Sequence, residues 1–232
     1  MQKLVIFSGA GMSAESGIQT FRDSDGLWEQ HRIQDVATSE AWAKNPELVQ
    51  RFYNARRKNI LAAKPNAAHK IIADLEQCFD VEVITQNIDD LHERAGSSKV
   101  LHLHGNIRLA KSSDPQAGDD PTLYPILGDS LNLSTDTCPK GYPLRPHVVW
   151  FGEAVPAYHE AQRLVEQADI FVVIGTSLQV YPVAGLVHCI SPTAQAYYID
   201  PKAQQQQLSV QYQKIALNAS QGLAELKQIL QT

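Results

Sequence analysis

The chain has 232 residues, 44% of them hydrophobic, enough for one large domain, or one domain carrying a smaller insertion, around a real core. Lysine and arginine number 20 against 25 aspartates and glutamates; the net charge of -5 and the scatter of the basic residues exclude a face that tracks phosphate backbones, so nucleic acid is not an expected partner. Three widely spaced cysteines, Cys78, Cys138 and Cys189, exclude a disulfide framework and point to a reducing compartment, the cytoplasm; no apolar run reaches the ~20 residues of a membrane span, and Met1 abuts the first predicted strand, leaving no room for a signal peptide.

In chain order, the first apolar run, LVIF at 4–7, reads as a buried strand and leads into a glycine- and serine-rich loop. Residues 29–64 read as all helical, with PELVQRFYNARRKNILAA the strongest period, and NAAHKIIADLEQC at 66–78 predicts a further helix. VEVIT (81–85) and KVLHL (99–103) are strands; residues 108–145, rich in Pro, Gly, Asp, Ser and Thr, interrupt the alternation. A helix at 159–168, strands IFVVIG (170–175) and AYYI (196–199), and a last helix at 221–232 resume it. Alternation of this kind predicts an α/β protein with a mostly parallel sheet covered by helices on both faces. The expected division is a sheet domain of residues 1–28, 65–107 and 145–232 and a small domain of 29–64 and 108–144, with a cleft between them.

Gly9-Ala10-Gly11-Met12-Ser13-Ala14 fits the G-x-G-x-x-G/A dinucleotide pattern and follows a strand, as the pattern requires. Glycines there let the backbone turn tightly and approach a pyrophosphate. The usual acid at the end of a second strand ~20 residues on is replaced by Asp23 and Asp25, nearer and in a loop, which points away from a dehydrogenase. His104 sits at the C-terminal end of a strand, where ligands of open α/β sheets bind. His102 shares its face, but a metal pair there lacks a third ligand nearby. Tyr53 and Arg56, three apart, share one face of a helix; a guanidinium and a phenol so placed suit a carboxylate, and equally an ordinary helix surface.

GAGMSAESGIQTFR (9–22), GLW (26–28), TQNIDDLHERAG (85–96), LHG (103–105), RPHVVWFGE (145–153) and GTSLQVYP (175–182) together resemble the sirtuins, NAD-dependent protein-lysine deacylases, in the family's own order. The resemblance implies a Rossmann-type large domain, a small domain built from two insertions, and NAD bound with an acyl-lysine protein or peptide in the cleft. It assigns Gly9, Ala10, Gly11, Ser13, Phe21 and Arg22 to a loop that closes over NAD, and Gln86, Asn87, Ile88 and Asp89 to the nicotinamide pocket. His104 becomes the general base, with Asn87 and Asp89 beside it in the catalytic set. Gly175, Thr176 and Ser177 would meet the ribose and phosphates, Ile199 and Asp200 the adenosine ribose, and the Ala219 backbone the adenine. Tyr198 departs from the family's Asn-x-Glu or Asn-x-Asp. His147, Val148, Val149, Phe151, Gly152 and Glu153 resemble the edge that holds the substrate peptide by strand pairing.

The pair Tyr53 and Arg56 resembles the Y-x-x-R of class III sirtuins, whose acyl pocket takes succinyl or malonyl lysine, with deacetylation as a second activity. The implied reaction has the acyl oxygen attacking the nicotinamide ribose; nicotinamide leaves, His104 takes a proton from a ribose hydroxyl, and the products are free lysine, nicotinamide and O-acyl-ADP-ribose. Where most sirtuins bind zinc on two C-x-x-C pairs, Cys138 stands alone in TDTCPKG. No metal is expected, and Leu123, Tyr124, Ile126, Leu127, Leu131 and Leu133 are expected to form an apolar cluster instead. A monomer is expected. Two alternatives stay open: a protein ADP-ribosyltransferase, and a non-catalytic NAD or ADP-ribose sensor.

Overall fold

The computed structural model describes residues 1–19, 27–28, 31–116 and 122–231, the side chains of 27 and 28 excepted. Strand β1 (Lys3–Ser8) is followed by the short pair β2 (Leu27–Trp28) and β3 (His31–Arg32), then helices α1 (Ile33–Val36), α2 (Ser39–Lys44), α3 (Pro46–Ala62) and α4 (Ala67–Leu75). Next come β4 (Asp80–Thr85), α5 (Leu91–Ala95), β5 (Val100–His102), β6 (Gly105–Ser112), β7 (Leu123–Pro125) and β8 (Leu144–Val148). The chain ends with α6 (Tyr158–Glu166), β9 (Ile170–Ile174), β10 (Gln195–Ile199), β11 (Tyr212–Ile215) and α7 (Ala219–Leu230).

Six strands form an all-parallel sheet in the order β11-β10-β9-β1-β4-β5. Strand β1 lies inside it, and Leu4, Val5, Ile6 and Phe7 are all fully buried, because side chains alternate between two covered faces. On one face Leu4, Ile6, Val81, Val83, Val172 and Ile199 pack against α4 and α7; on the other Val5, Phe7, Ile84, Phe171 and Val173 pack against α6 and the turn at Val183–His188. Each such side chain contributes about 2 kcal/mol on leaving water. Helix α7 lies so close to β10 that a Cβ at Gly222 would overlap the Ile199 side chain.

Residues 29–64 are not all helical. His31–Arg32 pairs antiparallel with Leu27–Trp28, and the helical run after it breaks twice. The breaks are legible as caps: Thr38 Oγ1 accepts the Ala41 N–H at 3.0 Å, and Asn45 Oδ1 accepts the Leu48 N–H at 3.0 Å with Pro46 at the first helical position. Asn66 caps α4 in the same way, its side chain accepting from Ala68 and His69.

Strands β7, β6 and β8 form a separate antiparallel sheet outside the six-stranded one. Both β6 and β8 run across the positions where the expected domain boundaries fall. The apolar cluster of this segment joins Ile126, Leu131, Cys138, Ala110 and Leu144, with Tyr124 against it. Leu123, Leu127 and Leu133 do not join; Leu127 is 95% exposed. Polar bonds from α3 do the rest: Asn54 donates to Leu131 O at 2.9 Å and accepts the Leu131 N–H at 3.0 Å, while the Arg57 Nε–H donates to Ile107 O at 2.8 Å. Cys138 is buried and its sulfur accepts the Ser112 hydroxyl at 3.3 Å. Among the described residues no cluster of three or more His, Cys, Asp or Glu could hold a metal ion.

At the junction of the two sheets Gly105 has φ +80°, and a Cβ there would fall on the His147 carbonyl oxygen. Gly105→Ala is therefore expected to lower Tm by roughly 5 °C or more, whereas Gly17→Ala, equally left-handed at φ +82° but with open space around it, costs about 1 kcal/mol. Thermal denaturation of the two variants side by side checks this; equal shifts would deny the close approach.

Candidate active site

Strands β1 and β9 are neighbours, but the chain leaves β1 toward β4 and β5 and leaves β9 toward β10 and β11. A crevice opens at such a reversal, beyond the strands' C-terminal ends. Here it lies between the turns that follow Ser8 and Ile174. The two turns are bonded directly, Gly9 N–H to Ile174 O at 3.0 Å and Gly11 N–H to Gly175 O at 2.8 Å. A Cβ at Gly9 would stand 2.6 Å from Thr176 Cβ, and one at Gly11 would stand 2.8 Å from Gly175 Cα. The first two glycines of the dinucleotide-like motif thus serve the contact between turns, a demand that spacing alone does not reveal.

The segment after β4 supplies the polar wall. Ser13 Oγ–H donates to Asp89 Oδ2 at 2.9 Å, Asn87 Nδ2–H donates to Ser13 Oγ at 3.1 Å, and the Leu91 N–H donates to Asp89 Oδ1 at 3.2 Å. Burial raises the Asp89 carboxyl above its ordinary range, and these donors partly offset it. Gln86 Nε2–H reaches Thr176 Oγ1 at 3.1 Å, tying this wall to the β9 turn.

His104 Nδ1 lies 2.8 Å from Gln86 O. A carbonyl only accepts, so Nδ1 carries the hydrogen and the neutral ring keeps its lone pair on Nε2. Burial lowers the imidazole's pKa, against the opposing effect of that hydrogen bond, so the ring is neutral near pH 7. His104 lines a cavity of about 210 Å³ together with Ser13, Asn87 and Asp89, and with Tyr53 and Arg56 from α3.

Tyr53 is fully buried and Arg56 is 5% exposed. Trp150 Nε1–H donates to Tyr53 Oη at 3.1 Å, and burial drives the phenol's pKa up, so it stays protonated. Trp150 is itself held: the Arg145 guanidinium lies 3.8 Å over its ring, Arg145 Nη2 bonds Glu153 Oε1 at 2.6 Å, and Glu153 Oε2 takes the Trp150 N–H at 2.9 Å.

Of the residues read from sequence, the cavity gathers Ala10, Ser13, Gln86 to Asp89, His104, Tyr53, Arg56, Val148, Val149 and Phe151 to Glu153. Gly9, Gly11, Gly175 and Thr176 lie at the two turns, and Ser177 continues the second. The Ile199 side chain is buried in the core; its carbonyl takes the Gly175 N–H at 3.0 Å, so Ile199 and Asp200 extend the same edge away from the cavity. Ala219 opens α7 at that far end. Tyr198 points inward, its hydroxyl donating to Thr176 O at 2.6 Å. His147 stands outside the cavity wall. Phe21 and Arg22 lie outside the described residues. Along 148–153 most N–H groups are already used, Val149 on His104 O, Phe151 on Ala37 O and Glu153 on Trp150 O. A strand laid beside this edge would meet carbonyl oxygens and Gly152.

The sequence reading missed Trp150, Val180, Tyr181 and Pro182 as wall residues, although all four stand inside motifs it quoted. Ala37 and Ile60 also line the cavity and carry no sequence signal beyond helical periodicity.

The Sir2 family matches residues 9–182. The NAD-dependent protein deacylase of Bacteroides thetaiotaomicron is 49% identical, over 99% of this chain and 98% of its own. That of Helicobacter pylori is 50% identical, over 97% and 96%. The crystal structure of a Sir2 homolog–NAD complex superposes with a TM-score of 0.84 at 37% identity, covering 99% of this chain and 89% of that one. A Sir2–p53 peptide–NAD⁺ structure superposes at 0.75 with 29% identity, covering 98% of this chain and 93% of the other. The chain belongs to the Sir2 family.

Proposed function

We propose that this NAD-dependent protein deacylase prefers lysines whose acyl group ends in a carboxylate, succinyl or malonyl, and also removes acetyl. One observation supports the preference above others: Arg56, almost fully buried, lines the same cavity as His104, and among the described cavity-lining residues it is the only lysine or arginine. A guanidinium held in a mainly apolar cavity favours a partner that offers two acceptor oxygens, and the protonated Tyr53 phenol adds a donor beside it.

The residues fit NAD. The crevice lies at the strand-order reversal, and the Asn87 amide and Asp89 carboxylate can pair with a carboxamide, which both donates and accepts. When bound, NAD supplies an electrophilic ribose carbon and the acceptor for the acyl group. Ser13 fixes the orientation of both Asn87 and Asp89. Thr176, clamped by Gln86 and by Tyr198, sets the turn assigned to ribose and phosphate. His104 Nε2 takes up the proton released in the transfer. Ile18, Ile60, Ile88 and Val148 keep bulk water from the reacting atoms.

In this reading Gly175 to Ser177, Ile199, Asp200 and Ala219 carry the rest of the dinucleotide, and Val148 to Glu153 carry the peptide, beside a small domain drawn from the two insertions. Among the described residues no helix is long and apolar enough to cross a membrane, and the three cysteines are free; we place the enzyme's work in the cytoplasm, as a monomer.

Kinetics on matched acetyl-, malonyl- and succinyl-lysine peptides test the preference. Arg56→Met is expected to lower kcat/KM for succinyl peptide about a hundredfold, the size of a lost charged hydrogen-bond pair, and to leave deacetylation within a few-fold. Equal losses on all three peptides would refute it. Mass spectrometry of the target protein then distinguishes loss of an acyl group from gain of ADP-ribose.

A further inference from the structure

We propose that His102 is a positioning residue for this reaction: held as an imidazolium between Glu93 and the Asn87 carbonyl, it clamps the segment bearing Asn87 and Asp89 and gives the Asp89 carboxylate its nearby positive charge. The functional part of the proposal rests on the reading that this segment holds the nicotinamide end of NAD.

The geometry carries it. His102 Nδ1 lies 3.1 Å from Asn87 O, which only accepts, and Nε2 lies 2.8 Å from Glu93 Oε1, which at neutral pH also only accepts. A neutral imidazole has one N–H and can satisfy one of the two; both together need the cation. His104, two residues on, makes one such contact and stays neutral. Alternate residues at the end of β5 therefore grip successive carbonyls, Gln86 by a neutral ring and Asn87 by a charged one.

The surroundings agree. Burial alone pushes His102 down, and the bond and charge of Glu93 outweigh it, leaving the ring above its ordinary pKa of about 6.5. Burial likewise pushes Glu93 up, and His102 outweighs it. The other groups that face the ring are Asp89 on the clamped segment, His92 on α5 and His147 on β8, both histidines pushed down by burial and neutral at pH 7. The amide Nδ2 of Asn106 also lies 3.4 Å from Nε2; it only donates, so it makes no bond to a protonated Nε2, and the much shorter 2.8 Å contact with the Glu93 carboxylate decides that Nε2 carries the hydrogen.

Two histidines then bound the pH range of activity. Protonation of His104 removes the base on the acid side, and loss of the His102 proton releases one end of the clamp on the alkaline side.

The whole protein serves for the test. Long-range ¹H–¹⁵N NMR of the imidazole rings, with His102 assigned by its absence in His102→Gln, is expected to show an imidazolium at pH 7 that titrates above 6.5. In the pH profile of kcat/KM for NAD, His102→Gln is expected to lose the alkaline limb and to fall about tenfold on the plateau, the equivalent of one pKa unit, while the acid limb of His104 stays in place. Glu93→Gln should move the alkaline limb to lower pH. A neutral ring at pH 7, or an alkaline limb unmoved in both variants, overturns the proposal; a merely structural role would change Tm and leave both limbs alone. Asp89→Asn separates the two claims. It raises KM for NAD if the segment holds the cofactor, whereas an unchanged KM with His102 still cationic rejects the site reading, and the clamp's catalytic purpose with it.

Discussion

Replacing His104 by alanine leaves NAD affinity within a few-fold of the parent and lowers deacylation by about a thousandfold, the usual worth of a positioned general base. The reason is local. The His104 ring is anchored through Nδ1 on Gln86 O and lines the cavity, its other nitrogen left for the chemistry. The groups assigned to NAD, the Ser13–Asn87–Asp89 chain and the Gly9 and Gly175 turns, bond to one another without it. Calorimetric titration with NAD and a peptide assay followed by mass spectrometry separate binding from turnover. A variant that binds and turns over like the parent removes His104 from the chemistry; one that does neither says that the ring is structural.

Urea denaturation midpoints fall steeply as the pH drops from 6.5 toward 5, before most carboxylates titrate. His92 Nε2 lies 3.0 Å from Ser8 Oγ, whose own hydrogen goes to Thr85 Oγ1, so His92 donates there and Nδ1 bears the lone pair. That Nδ1 is buried without a partner, as is Nε2 of His69, whose ring meets the His92 ring edge-on at 4.9 Å between centroids. Burial holds His69 down at about 4 and His92 well below its ordinary value, so the unfolded chain binds these protons first. A histidine whose folded pKa is depressed contributes its full stability above the unfolded pKa of about 6.5 and loses it as pH falls, at about 1.4 kcal/mol per pH unit. Two such rings give nearly 3 kcal/mol per unit, a large part of a typical domain's ~5–15 kcal/mol. His102, raised rather than lowered, loses its contribution only on the alkaline side of that window. Midpoints that stay level from pH 7 to 5, or an equal slope in the His69→Gln/His92→Gln double variant, would contradict this account.

β1, β9 and β10 are legible in the sequence as solid apolar runs, because burial on both faces demands such runs, whereas β4 and the half-buried edge strand β5 show only shorter runs broken by Glu82 and by His102. β11 is not legible, since Tyr212 and Ile215 are buried while Gln213 is exposed, a half-covered edge too short to show alternation. β7 escaped for a related reason: three residues between turn formers leave no period to read. Helix α3 was read nearly to its ends, and Asn45-Pro46 announced its start. The polar wall was legible as motif, yet its wiring was not. Nothing in the spacing of Ser13, Asn87 and Asp89 says that one hydroxyl bridges the other two across more than 70 residues of chain. Trp150 had no assigned role because its effect passes through Tyr53, and such relations exist only in three dimensions.

The bonds from α3 to the second insertion and to the start of β6 reach main-chain atoms: Asn54 grips the amide and carbonyl of Leu131, and Arg57 the carbonyl of Ile107. An attachment of that type is indifferent to the identity of the residues it holds. The backbone opposite the helix is thereby held whatever side chain stands at 131, so that α3, which we propose reads the modified lysine, keeps its seat even where the apolar cluster beneath is repacked.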